Sequence, residues 1–251
     1  MDYRLSHMAP EKGTTYSKSF DDLPYRKMIW KWEQEKLSEI VDKYLGENTE
    51  VRYLDFACGT GRILGYLEDR VYEAIGVDLS ESMINIARNK TKRSKLYIGD
   101  LTREHIFTPG TFNLITAFRF FLNAQWKLKD EVMRQLANLL SSSPHGYLVF
   151  NVHLNAGSSQ EMLKRAYTKI CGRPVKYNSL SISDVRRLTS AANLQIVAMY
   201  HFGIVPIRKE SDRLPYQFMY QFEKFFSHFS FMQRFSRYII FVCKKDNKDL
   251  G

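Results

Sequence analysis

Hydrophobic and polar positions along the chain alternate between two periods. Short apolar runs at 51–56, 72–77, 96–98, 112–118 and 146–152 read as strands, with helix-like stretches at 62–69, 81–89 and 130–140 between them. Ser80 is placed to cap the second of these, with Met83, Ile84 and Ala87 on one face. Near-continuous apolar strands separated by amphipathic helices predict an α/β fold whose parallel sheet is covered on both faces. Upstream, Met28, Ile29, Trp32, Leu37, Ile40, Val41 and Leu45 approximate a helical stripe that Gly46 can stop. Downstream, "SISDVRRLTSAANLQIVAMYHFG" reads as a helix capped by Ser181 or Ser183 and stopped near Asn193, then a strand. The tail opens with "LPYQFMYQFEKFFSHFSFMQRFS", a helix-like insertion dense in Phe and Tyr, and continues into the strand "RYIIFVCKK". No repeat or linker interrupts this order, so residues 1–251 are expected to form one domain.

Composition narrows the class. The hydrophobic fraction of 44% and charged fraction of 25% are those of an ordinary globular protein. No apolar stretch approaches the roughly 18 residues of a membrane-spanning helix, and the N-terminal "MDYRLSHMAPEKGTTYSKSF" lacks the apolar core of a secretory signal. Cys58, Cys171 and Cys243 are too dispersed for a disulfide framework or a metal site, which fits a reducing, cytoplasmic setting that extends to an inner membrane surface. The net charge of +10, concentrated partly in "RNKTKRSK", favours an anionic partner: a phosphorylated small molecule, nucleic acid or a membrane surface.

The chemistry starts at "VRYLDFACGTGRILGYLEDRVYEAIGVDLSESM", where a strand ending in Asp55 meets a turn with Gly59 and Gly61 and a later strand ends in Asp78. Glycines at a strand's carboxyl end let backbone approach a ligand, and the following helix start offers free N–H groups. An acid ending the second strand is placed for ribose hydroxyls. A dinucleotide fold wants a third glycine three positions after Gly61, where Leu64 stands. Asp55 would repel a pyrophosphate, and "LYIGD" adds Asp100 at the end of a third strand. Three acids around one glycine turn describe a pocket for a cationic ligand carrying a ribose and an adenine.

"LDFACGTGR", "GVDLSESM" and "YIGDL" resemble, in order and spacing, the successive motifs of class I S-adenosylmethionine-dependent methyltransferases, strongly over about residues 50–152. That resemblance implies a Rossmann-like, doubly wound, seven-stranded and mostly parallel sheet with an antiparallel final strand and helices on both faces. It divides the chain into an N-terminal helical lid segment (1–45), a cofactor-binding core (46–155) and a substrate-side half (156–251) carrying the aromatic insertion at 214–236. It also implies roles. Ala57, Gly59 and Gly61 would pass beneath S-adenosyl-L-methionine, with Asp55 near its amino group. Asp78 would take the ribose hydroxyls, Asp100 and Leu101 would meet the adenine, Leu79 and Met83 would also contact the cofactor, and Phe118 would wall it. Tyr16, Tyr25 and Arg26 in the lid are candidates for the cofactor carboxylate or the acceptor.

Methyl transfer to oxygen needs an aligned acceptor and a base. "LITAFRFFLNAQ" supplies Arg119 for an anionic acceptor or a structural ion pair, Phe120 as a wall, and Asn123 to orient a substrate or cap a turn. "GYLVFNVHLNAGS" supplies Asn151 and His153, two apart on one face, with His153 the candidate base. His145, His201 and His228 read as structural. The phrases "AFRFFLNA", "FNVHLNAGS" and "GIVP" are similar, more loosely, to methyltransferases of bacterial surface-glycan and secondary pathways. They imply a sugar, phosphosugar or lipid-linked saccharide acceptor. The aromatic insertion is expected as buried core or a homodimer face, with contact to a lipid or membrane surface as the alternative. A nucleic-acid methyltransferase and a non-catalytic cofactor-binding protein are the competing readings, and a nicotinamide oxidoreductase is weakened by the missing glycine. No acid cluster is spaced for a metal.

Overall fold

The computed structural model describes residues 23–46, 50–153, 155–172, 179–204 and 215–246. Helix α1 (Pro24–Tyr44) begins with proline in its first turn, where the missing N–H costs nothing, and gives way to Gly46 in the left-handed region. Then follow β1 (Arg52–Phe56), α2 (Arg62–Leu67) with a short 3-10 turn, β2 (Glu73–Asp78), α3 (Glu81–Arg88), β3 (Lys95–Ile98) and β4 (Leu114–Ala117). The second half comprises α4 (Trp126–Leu139), β5 (Tyr147–Val152), α5 (Ser159–Cys171), α6 (Ile182–Ser190), β6 (Leu194–Phe202), α7 (Tyr216–Ser227), α8 (Ser230–Gln233) and β7 (Tyr238–Lys245).

The seven strands form one sheet in the order β3-β2-β1-β4-β5-β7-β6. Its ladders are parallel except for β7, which runs antiparallel to both β5 and β6. "RYIIFVCKK" is therefore the reversed strand. Chain order turns back between β1 and β4, so the carboxyl ends of these neighbours open a crevice, the usual ligand position in open α/β sheets.

Side-chain alternation builds the two core layers. Leu54, Ile115, Phe150 and Phe241 point to the layer capped by α4 and α6. Tyr53, Leu114, Val149 and Ile240 point to the layer capped by α1, α2 and α7. Each pair of sequence neighbours thus splits between faces, as period-two geometry requires. Two predicted caps are present: Ser80 accepts from the Met83 N–H at 3.4 Å, and Ser181 forms a reciprocal capping box with Asp184. Asn193 ends the α6 segment at φ 55°.

The structure departs from the pattern in four places. The 112–118 run contracts to Leu114–Ala117, leaving Phe112 in an isolated bridge with Leu140. Helix α4 starts four residues earlier than its apolar stripe indicates, at Trp126. The aromatic insertion breaks into α7 and α8. Helix α5 has no counterpart among the predicted elements, because Glu161 is its one fully buried residue and no core-facing stripe marks it. The basic run after α3 is organised from below, since the buried Glu68 carboxylate accepts from the N–H groups of Lys92, Arg93 and Ser94 at 2.9–3.0 Å.

Phe150 and Phe241 stack with ring centroids 5.4 Å apart, both fully buried, and couple the last parallel strand to the reversed one. Phe241→Ala is expected to cost roughly 3–5 kcal/mol by opening a cavity there, read as a lower urea midpoint with an unchanged slope.

Candidate active site

One deep cavity opens at the carboxyl edge of β1, β2, β4 and β5. Of the sequence-predicted residues, Tyr25, Arg26, Asp55, Ala57, Gly59, Asp78, Leu79, Met83, Asp100, Leu101, Phe118, Arg119, Phe120, Asn123 and His153 line it. Gly61 and Asn151 stand just behind the lining, and Tyr16 lies outside the described residues.

The floor is the β1–α2 turn. Three of its residues take left-handed backbone: Ala57 at φ 53°, Gly59 at 56° and Gly61 at 73°. Ala57 pays the steric cost of that conformation, which glycine avoids. A Cβ at Gly59 would meet no atom within 4 Å, so bare backbone faces the cavity there. A Cβ at Gly61 would come within 2.9 Å of the Ala87 Cβ and 3.2 Å of its Cα, so that glycine lets α2 and α3 pack closely. Asp78 splints the turn: its carboxylate accepts from the Gly59 N–H and from the Ser80 N–H, both at 2.8 Å. Asp100 likewise shapes its loop, accepting from the Thr102 N–H at 3.0 Å and the Thr102 hydroxyl at 2.6 Å.

Asp55 is buried at the pocket's back wall and accepts from the Thr116 hydroxyl at 2.6 Å, which in turn meets the Tyr53 hydroxyl at 2.7 Å. Burial pushes its pKa up to about 7, with the neighbouring Asp78 carboxylate adding to the rise against the Thr116 bond. A back wall of this kind gains from a cation placed against it.

The opposite wall hangs on Glu33 of α1, which is fully buried. Arg119 binds both of its carboxylate oxygens, at 2.7 and 3.0 Å, Arg62 approaches at 3.5 Å, and the Asn151 amide donates at 3.3 Å. Arg62 also lies over the Trp30 ring, 4.5 Å from its centroid. Arg119 sits at φ 62°, outside the usual region for a residue with a side chain. Its N–H donates to Asn151 Oδ1 at 2.7 Å, and its carbonyl accepts from Asn123 at 2.9 Å. Of the two predicted uses of Arg119, the structure shows the ion pair. Asn151 is nearly inaccessible and bonds Arg119 and Glu33 from within β5, whereas His153, just past the end of β5, lines the cavity itself. Glu33, Arg62 and Tyr238 escaped the sequence reading. Glu33 carried a signal, standing four residues from both Ile29 and Leu37 as a charge inside an apolar stripe.

The three histidines expected to be structural, His145, His201 and His228, have local partners. His201 is largely buried, and its Nδ1 lies 2.8 Å from the Ser236 hydroxyl, while the Nδ1 atoms of His145 and His228 meet the Tyr44 and Lys224 carbonyls. Among the described residues, no three His, Cys, Asp or Glu side chains gather to hold a metal.

Residues 29–199 match the family model described as "Methyltransferase domain". Among curated proteins, the chain is 34% identical over 105 residues to YqeM of Bacillus subtilis (strain 168), named as a methyltransferase, covering 41% of this chain and 42% of that protein. It is 34% identical over 77 residues to the 18S rRNA (guanine-N(7))-methyltransferase of Bos taurus, covering 30% of this chain and 27% of that one. The chain thus spans less than half the length of these relatives. Among solved structures, magnesium protoporphyrin IX methyltransferase from Synechocystis PCC 6803 with bound SAH superposes at TM-score 0.63 and 12% identity, covering 97% of this chain and all of that one. Geranyl diphosphate C-methyltransferase from Streptomyces coelicolor A3(2) superposes at TM-score 0.55 and 13% identity, covering 84% and 79%.

Two outcomes follow from the wall and the floor. Glu33→Gln leaves two guanidiniums without their counter-charge and is expected to lower stability by about 3–5 kcal/mol, measured by chemical denaturation. Asp55 has a folded pKa above its unfolded value, so the folded state holds the extra proton and stability falls as pH rises from about 4 to about 7. Asp55→Asn should flatten that slope in a pH series of thermal melts.

Proposed function

Because the chain belongs to the methyltransferase-domain family, the class I enzymes that use S-adenosylmethionine, we propose that its pocket transfers a methyl group to a hydroxyl of a small acceptor with an apolar body. The observation that carries this reading is the convergence in one cavity of the glycine turn, the strand-end acids and His153. The pocket suits S-adenosylmethionine on its own chemistry: bare backbone at Gly59, a buried carboxylate at Asp55 for a cationic centre, and hydroxyl acceptors at Asp78. When bound, the cofactor supplies an electrophilic methyl group on a sulfonium.

Asp78 is read as the ribose partner, Leu79 and Met83 as the contacts beside it, and Asp100 with Leu101 as the adenine end. Gly61 brings α2 against α3 and so holds the turn in shape. Arg26 and Arg62 offer positive charge to the cofactor carboxylate. Tyr25, Phe118, Phe120 and Tyr238 wall the acceptor side with aromatic surface, and Asn123 lies at its edge. His153 is the base: with acceptor and cofactor bound, its imidazole would take the proton of the acceptor hydroxyl that the sulfonium methyl alkylates.

The aromatic walls and the commitment of Arg119 to Glu33 favour a lipid-linked saccharide over a bare phosphosugar. A second reading rests on the identity to an rRNA methyltransferase, which makes an RNA base the competing acceptor.

The test uses methyl-labelled S-adenosylmethionine offered with lipid-linked saccharides or with RNA. Label is expected in the lipid phase, and label in RNA alone would overturn the acceptor class. His153→Ala should lower turnover roughly 100-fold or more while cofactor affinity stays within about twofold by calorimetry. Near-normal turnover would remove His153 as the base.

A further inference from the structure

The most unusual surface lies beside the pocket. Along α7 and its continuation, Phe218, Phe222, Phe225 and Phe229 recur at helical spacing, and all are exposed, joined by Phe231 at 64% exposure. Their rings touch in sequence: Phe218 stacks on Phe222, Phe222 and Phe225 each meet Phe226, and Phe225 meets Phe229, which meets Phe231. The opposite face of α7 is fully used. Met219 and Tyr220 are buried, Tyr220 donates to Glu35 of α1, and Glu223 accepts the Ile204 N–H. The outward row is therefore left over after α7 has docked: the inner face is buried core, as expected, but these rings are not.

Helix α5 repeats the pattern. Met162, Leu163, Tyr167 and Ile170 are exposed, the last at 84%. The roots of the two elements are pinned together: the Ser159 N–H donates to the Phe235 carbonyl at 3.1 Å and Asn155 donates to the Ser236 carbonyl at 2.9 Å. Three residues past Phe235, Tyr238 lines the pocket.

Charge decides the occupant. Across the described residues of these helices, Lys164, Arg165, Lys169, Lys224 and Arg234 are exposed, whereas both acids, Glu161 and Glu223, are buried. Among the described residues of α5, α7 and α8, the apolar rows are edged by cations and no acid is exposed; the exposed Glu35 of α1 is taken up by the Tyr220 hydroxyl. A second copy would bring two such cationic faces together. A helix with aromatic residues on one side and Lys or Arg at its margins suits the interface of an anionic bilayer. No helix among the described residues is long and apolar enough to cross a membrane, so such binding would be peripheral.

We propose that α5 and the α7–α8 pair form a peripheral membrane-docking face that seats on an anionic lipid surface beside the pocket mouth. This inference stands apart from the methyl-transfer reading, because it rests on surface residues that the pocket does not use.

The test is co-flotation of the full chain with vesicles of phosphatidylcholine and phosphatidylglycerol in a two-to-one ratio, against pure phosphatidylcholine. Binding is expected to be about tenfold or more stronger on the anionic vesicles and to weaken with salt. The triple variant Phe218→Ser, Phe222→Ser, Phe225→Ser should lose it, and so should the charge variant Lys169→Glu, Lys224→Glu. Both should keep the parent's circular dichroism and affinity for S-adenosylhomocysteine. Equal or absent flotation on the two vesicle types would overturn the proposal. So would a dimer in light scattering that the triple variant abolishes, which would assign the face to a second copy. Retention on RNA with no vesicle binding would also overturn it.

Discussion

Glu33 is the constraint on which the site depends. A carboxylate taken wholly out of water is costly unless paired and hydrogen-bonded, and here α1 delivers it to Arg119, Arg62 and Asn151 at once. Those partners belong to the ends of β4 and β5 and to the first turn of α2. One side chain therefore ties the N-terminal helix to three separate segments of the pocket wall. It also accounts for the left-handed backbone at Arg119, which Asn151 and Glu33 grip from two sides. Strain of that kind persists only where its surroundings over-determine it.

The pocket combines two dielectric environments. At its back, Asp55 is buried and held near neutrality by the absence of water. At its entrance, Asp78 and Asp100 use their oxygens first to shape loops, through N–H groups of the glycine turn and of Thr102. These bonds of both acids are thus architectural. The turn they hold presents bare backbone at Gly59, and the Ala87 side chain beneath Gly61 fixes how closely α3 can approach. The aromatic rings of Tyr25, Phe118, Phe120 and Tyr238 line the cavity and limit its water.

Most of the fold was legible because the buried strands β1, β2 and β5 leave unbroken apolar runs, each ending within two residues of its predicted limits, as did the exposed edge strand β3. The reversed strand β7 was readable for the same reason. Helix α5 was not, since pattern reading detects burial and α5 buries almost nothing. The lining of the cavity followed the glycine turn and strand ends closely, because local order along the chain sets those positions. The Glu33 cluster did not, because it joins residues 86 and 118 positions apart, a pairing that no local spacing encodes. Asn151 shows the same limit: strand alternation places it near the cavity, but its bonds to Glu33 and Arg119 join distant segments that alternation alone does not specify.

The account stands on the identity of the molecule that the glycine turn holds. Isothermal titration of the full chain with S-adenosylmethionine and S-adenosylhomocysteine, with NAD as control, tests that directly. Saturable, one-to-one binding in the micromolar range by the first two, and none by NAD, is the result this account predicts. A folded protein that binds neither would contradict it, and the Gly59–Gly61 turn would then be architecture without a ligand.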